Sequence, residues 1–187
     1  VRIKKWKPTV IVGGPPCQDF SSAGKRNENG ERAELTISYA KIVTAIRPQL
    51  FIMENVDRAL KATTYRDAIK IFSDAGYHMT IAVLDASLCG VPQKRKRVIV
   101  VGSLEVPSTS IIEIYKKHQA SSPMTVRDYL GDSLGIEYYY RPPRSYARRG
   151  VFSIDEPSPT VRGVNRPIPK GYVGHPGDAT VITASLP

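Results

Sequence analysis

The chain has 187 residues, enough for one sizeable core or for one domain with an appendage. A hydrophobic share of 41% fits a globular protein, and no apolar run approaches the roughly 18 residues of a membrane span. The net charge of +10 favours a polyanionic partner, nucleic acid first, or else a basic but otherwise ordinary surface, while two distant cysteines and three histidines argue against a disulfide framework or a zinc site.

Val1 to Lys7 lacks the apolar stretch of a signal peptide, so a cytoplasmic location is expected. Thr9 to Gly13 reads as a buried strand, and Gly14-Pro15-Pro16-Cys17-Gln18 follows it directly. The polar stretch from Ser21 to Arg32 reads as a loop. From Glu34 to Ile46, apolar Leu35, Tyr39, Ile42, Val43 and Ile46 recur at helical spacing until Pro48 stops the pattern. Leu50 to Met53 is a second buried strand ending at Glu54. Tyr65, Ala68, Ile69 and Phe72 mark another helix, with Gly76 as its stop. Tyr77 to Leu84 and Val98 to Val101 are two further strands.

This alternation predicts a parallel α/β sheet with right-handed crossovers over residues 1–105. Ligands of such sheets sit at the carboxyl ends of the strands, so Cys17 and Glu54, each directly after a strand, should share that edge. Beyond Glu105 the texture changes. Tyr138-Tyr139-Tyr140, Arg141-Pro142-Pro143-Arg144, Arg148-Arg149 and several prolines predict an irregular region over residues 106–187, with one short helix at Thr125 to Leu130. Basic loops with aromatics suit nucleic-acid contact; a solvated surface without a partner is the plain alternative.

Three stretches carry a resemblance. Gly13-Gly14-Pro15-Pro16-Cys17-Gln18-Asp19-Phe20-Ser21-Ser22, then Glu54-Asn55-Val56, then Gly90-Val91-Pro92-Gln93-Lys94-Arg95-Lys96-Arg97 resemble, in order, three signature blocks of the DNA cytosine-5 methyltransferases. The match covers about Thr9 to Gly102; Pro157 to Gly163 is similar to the region beside that family's target-recognition segment. The resemblance implies a partial Rossmann-like, S-adenosylmethionine-dependent methyltransferase sheet in residues 1–105 and a partial target-recognition region in residues 106–187. It implies a site-specific DNA cytosine-5 methyltransferase with S-adenosylmethionine as methyl donor, double-stranded DNA as partner and no metal. A cytoplasmic, DNA-associated protein would follow.

Carbon 5 of cytosine is a poor nucleophile, and attack by a thiolate on carbon 6 makes it reactive. Cys17 is the candidate for that covalent step. A free thiol has a pKa of about 8.5 and needs cationic help to ionise near neutrality, which arginines of the third block can supply. Electron density pushed toward ring nitrogen 3 needs a proton or hydrogen bond, and Glu54, held at a buried strand end, is the candidate donor. Arg95 and Arg97, two apart at the start of a strand, should share a face. The resemblance gives Arg97 a contact to the cytosine oxygen at position 2 and Arg95 a supporting role near the nucleophile. Lys94 and Lys96 would point the other way, toward solvent or phosphate, and Gln93 would organise the loop.

The target carbon is inaccessible within a duplex, so the cytosine must be flipped out. Gln18, Ser21 and Lys25 match family positions that line the DNA or the gap left by the base, and Arg162 is a further DNA-binding candidate. Arg144, Arg148, Arg149 and Arg166 could equally contact phosphates or guanines. Pro16 and Leu35 match positions that touch the methyl donor; Leu35 also suits an ordinary core position. The family's Phe-x-Gly-x-Gly-Gly loop, an acidic residue for the ribose and a closing Gly-Asn-x-Val block are not in this sequence, and Asp19 stands where glycine is frequent. The donor's cradle is therefore expected from residues beyond these 187, or from a second subunit if the enzyme is split, and a sheet without its first strands would expose apolar edge surface. RNA cytosine-5 methylation and a non-catalytic DNA-binding fragment or subunit are the alternative functions.

Overall fold

Residues 5–16, 34–143, 148–161 and 174–181 are described by the structure, a computed structural model. Cys17, Gln18, Ser21, Lys25, Arg144, Arg162 and Arg166, with the loop from Ser21 to Arg32, lie outside the described residues. The chain forms two compact units, Val1–Leu84 with Lys96–Gln119, and Asp85–Arg95 with Ala120–Pro187. The boundary expected near residue 105 thus falls inside the first unit.

The first unit is built on a four-stranded sheet. Its strands are β1 (Val10–Gly13), β2 (Leu50–Val56), β3 (His78–Asp85) and β5 (Lys96–Ser103), in the order β1-β2-β5-β3. β1 and β2 are parallel, as expected, with Val10 beside Leu50 and Gly13 beside Met53. β5 runs antiparallel to β2, so the expectation of an all-parallel sheet is corrected. The reason lies in the connection. Residues 86–95 hold only a 3-10 turn, Ala86–Leu88, and the two-residue β4 (Gln93–Lys94), whereas a parallel return needs a crossover of about a dozen residues or more, usually helical.

Two helices, α1 (Glu34–Ile46) and α2 (Thr63–Asp74), pack on each other and form the core with the sheet. Phe51 stacks on Phe72 at 4.1 Å between centroids, and Tyr77 meets both rings edge-on. Met53, Val98, Val100, Ala40, Val43 and Ala68 complete a fully buried layer. The apolar periodicity of α1 misplaces its inner face. Thr36, Ala40 and Val43 are the buried residues, while Leu35 and Ile42 are exposed. Small residues let this helix approach its neighbours closely, and Leu35 and Ile42 are left outside. Gly76 ends α2 as expected, at φ +85°, with its N–H on the Ser73 carbonyl and the Tyr77 N–H on the Phe72 carbonyl. That pair of bonds is a Schellman cap, and the Tyr77–Phe72 ring contact is its hydrophobic partner.

The two faces of the sheet differ. Phe51, Met53, Asn55, Val98 and Val100 alternate into the core, whereas the opposite face is half-exposed. β1 is an edge strand of this sheet, with Val10 45% and Val12 69% exposed, which corrects its reading as a buried strand. A third helix, α3 (Ser108–His118), follows β5.

The second unit has little apolar core. α4 (Val126–Leu130) begins at Thr125 with a capping box: the Thr125 hydroxyl accepts from the Asp128 N–H, and the Asp128 carboxylate accepts from the Thr125 N–H. β6 (Tyr138–Tyr140) pairs antiparallel with β7 (Val151–Ser153), and β4 pairs in parallel with β8 (Ser158–Pro159). The Arg127 guanidinium binds Asp132, Glu137 and Asp155 at once. Asp178 accepts from the N–H groups of Gly150, Val151 and His175.

Candidate active site

At Gly13 the chain leaves the sheet and runs through Gly14, Pro15 and Pro16 toward Cys17. Gly13 has no room for a side chain, since a Cβ there would lie 2.3 Å from Cε2 of Tyr39. Tyr39 comes from α1, and its hydroxyl donates to the Ile52 carbonyl at 2.9 Å. Burial pushes that phenol up to about 12, so the hydroxyl keeps the proton it donates. Asn55, buried on the core face of β2, donates from Nδ2 to the Pro15 carbonyl at 3.3 Å and accepts the Val56 N–H at Oδ1.

Glu54 lies on the other face of β2. It sits within the strand, two residues before the end, rather than after it. Its carboxylate Oε1 is 2.9 Å from Arg97 Nε, and Oε2 faces the departing chain, 3.4 Å from where a Gly14 Cβ would stand. The pairing follows from register. Arg97 is opposite Val56, so the diagonal neighbour on the same face is Glu54. The Glu54 side chain is 42% exposed and that of Arg97 23%, so the carboxyl is not buried as expected. The charge of Arg97, assigned above to help a thiol ionise, is paired with Glu54.

Other expectations are corrected. Arg95 lies outside β5, in the second unit, where its carbonyl accepts the Ala86 N–H, so the alternation that would align it with Arg97 does not apply. Pro16 and Leu35 are both exposed, Leu35 by 44%, which removes the core reading of Leu35. Gln93 and Lys94 pair with Ser158 and Pro159, and the Thr160 hydroxyl donates to the Lys94 carbonyl at 3.1 Å. Arg141 binds the carbonyls of Pro159 and Thr160. Nothing in the sequence singled out Tyr39, Thr160 or Arg141 for these roles; the positions carry no motif. Arg149, a candidate for DNA contact, binds Glu156 and lies over the Phe152 ring, so its guanidinium is part of the second unit's framework. Arg148 is exposed. Among the described residues no group of three acidic, histidine or cysteine side chains is placed to hold a metal. No described helix is long and apolar enough to cross a membrane.

Residues 2–151, which include all three signature blocks and the Glu54–Arg97 pair, match the family of C-5 cytosine-specific DNA methylases. The chain belongs to that family. It is 58% identical over 171 residues to the Type II methyltransferase M.HindV of Haemophilus influenzae, covering 91% of this chain and 56% of that protein. It is 52% identical over 185 residues to the Type II methyltransferase M.HgiDI of Herpetosiphon aurantiacus, covering 99% of this chain and 60% of that protein. The chain therefore spans a little over half the length of these relatives. The fold is shared with a methyltransferase of Entamoeba histolytica, at a TM-score of 0.53 and 16% identity over 76% of this chain and 44% of that one. The S. pombe Dnmt2 methyltransferase has a TM-score of 0.51 and 16% identity, over 68% and 40%. Methylases of this family imply S-adenosylmethionine as methyl donor. Pro16 and Leu35, expected to touch that donor, both present exposed apolar surface.

Proposed function

We propose that this chain carries the cytosine-handling part of a DNA cytosine-5 methyltransferase. The observation that carries the reading is the Glu54–Arg97 pair at the carboxyl end of β2, with Oε2 of Glu54 turned to the arm that leads to Cys17. In this reading the Cys17 thiolate bonds to carbon 6 of a flipped cytosine, and the displaced π electrons move toward nitrogen 3. Glu54 delivers a proton to nitrogen 3 from Oε2, the oxygen that Arg97 leaves open. Arg97, held beside it, donates to the cytosine oxygen at position 2. S-adenosylmethionine, when bound, supplies the methyl group that carbon 5 takes up. Loss of the carbon 5 proton to water and return of the nitrogen 3 proton to Glu54 then expel the Cys17 thiolate and restore the ring. Pro16 and Leu35 touch the donor, and Gln18, Ser21, Lys25 and Arg162 meet DNA. The second unit serves target recognition.

Duplex DNA carrying cytosine tritiated at carbon 5 tests the first step without the donor, because reversible attack at carbon 6 exchanges that hydrogen with water. The parent chain should release tritium and Cys17→Ser should not. Where the donor's cradle is also supplied, labelled donor and 5-fluorocytosine DNA should give a covalent adduct that depends on Cys17. Salt-sensitive DNA binding without release or adduct would mark a binding module instead.

A further inference from the structure

We propose that Asn55 and Tyr39 are positioning residues that hold the chain between Gly13 and Pro16 at two points and so set where Cys17 can reach. The kinetic consequence rests on the reading of Cys17 as nucleophile; the geometry of the two holds does not. Pro15 and Pro16 have no N–H, so this half of the arm offers a neighbour only carbonyls as backbone handles. It must be held by donors from elsewhere. Asn55 supplies one, from Nδ2 to the Pro15 carbonyl, and its own carbonyl oxygen is fixed by the Val56 N–H, so the amide cannot turn over without losing both bonds. At 1% exposure, no water replaces that bond without disturbing the core.

Tyr39 sets the other point. Its ring occupies the space beside Gly13 that any Cβ would need, and its hydroxyl bond to the Ile52 carbonyl ties that ring to β2. The two holds straddle Gly14, the residue beside Oε2 of Glu54. One glycine joint between two fixed points leaves the arm little freedom except rotation at Gly14. Neither Asn55 nor Tyr39 is assigned a contact to base or donor. Each acts through the arm.

The test measures alkylation of Cys17 by iodoacetamide in the full chain, resolved by peptide mass, with exposed Cys89 as the internal reference. Asn55→Ala should change the ratio of the Cys17 rate to the Cys89 rate at least threefold. Tyr39→Phe, which keeps the ring and is the milder test of folding, should change it about twofold. Tritium release should fall tenfold or more in Asn55→Ala with KM for DNA unchanged. Ratios equal to the parent's in both variants would overturn the proposal, even if the melting temperature fell, because the contacts would then be structural only. Shifted ratios with a parent that releases no tritium would uphold the positioning and sink the methyltransferase reading. Unchanged ratios with an active parent would do the reverse.

Discussion

The two units of this chain are stabilised by different physics. The first buries an aromatic cluster of Phe51, Phe72, Tyr77 and Tyr39 against aliphatic strands, and its ion pairs Lys70–Asp74 and Glu54–Arg97 lie outside the buried layer. The second relies on Arg127 among three carboxylates, a capping box, and Asp178 on three backbone N–H groups. Apolar burial is not weakened by charge screening or by the titration of carboxylates, whereas exposed ion pairs and caps are. The first unit is suited to hold reactive side chains in a fixed geometry. The second has a framework whose strength follows the ionic conditions under which DNA binding is itself measured.

The largest expected effect comes from opening the aromatic cluster. Phe72→Ala should destabilise the first unit by about 3–5 kcal/mol, read from urea unfolding, because a fully buried ring leaves a cavity. Gly13→Ala should cost about 1–3 kcal/mol through the clash with Tyr39, and adding Tyr39→Leu should recover part of the loss if that ring is the obstacle. Thr125→Ala removes the cap of α4 and should cost about 1 kcal/mol, seen as faster amide hydrogen exchange over residues 126–130. The smallest effect is the one that best separates the two units. Asp128 is held below the usual carboxylate range by hydrogen bonds from Thr125, and Asp155 by its hydrogen bond to Arg127. Both therefore lend stability that is fully present above the ordinary aspartate pKa of about 3.9 and is lost as pH falls through the lower folded values. Below about pH 4, exchange should quicken at residues 126–130 before it does at residues 65–72. Equal responses would erase the contrast.

Much of the first unit was readable because its signals are local. The strand β2, the helices α1 and α2 and the Gly76 stop each follow from periodicity and a terminating residue. The direction of β5 was not readable. Alternation marks a strand but carries no sign, and only the shortness of the link over residues 86–95 bears on its direction. Apolar spacing in α1 found the helix but missed its inner face, since Thr36 and Ala40 pack inward without looking hydrophobic. At the site, Cys17, Glu54 and Arg97 stood out by motif, yet the Glu54–Arg97 pair depends on register across two strands, which no local pattern encodes. Arg95 was misplaced for a related reason: two residues of separation imply a shared face only when both lie in one strand. The second unit gave up its α4 helix, because Thr125 and Asp128 form a cap three residues apart. Its ion pairs, from five to 28 residues apart, follow no helical or strand spacing that would reveal them.

The reversal of β5 has a consequence for how the signature blocks meet. A strand laid antiparallel brings its first residues to the edge where its neighbour finishes. Arg97, the second residue of β5, is thereby delivered to the end of β2, where Glu54 and the arm from β1 already converge. Had β5 run parallel, the same arginine would have stood at the opposite rim, roughly 20 Å away at about 3.3 Å per residue. Gly14, Glu54 and Arg97, scattered along the chain, become neighbours because a single strand is threaded backwards.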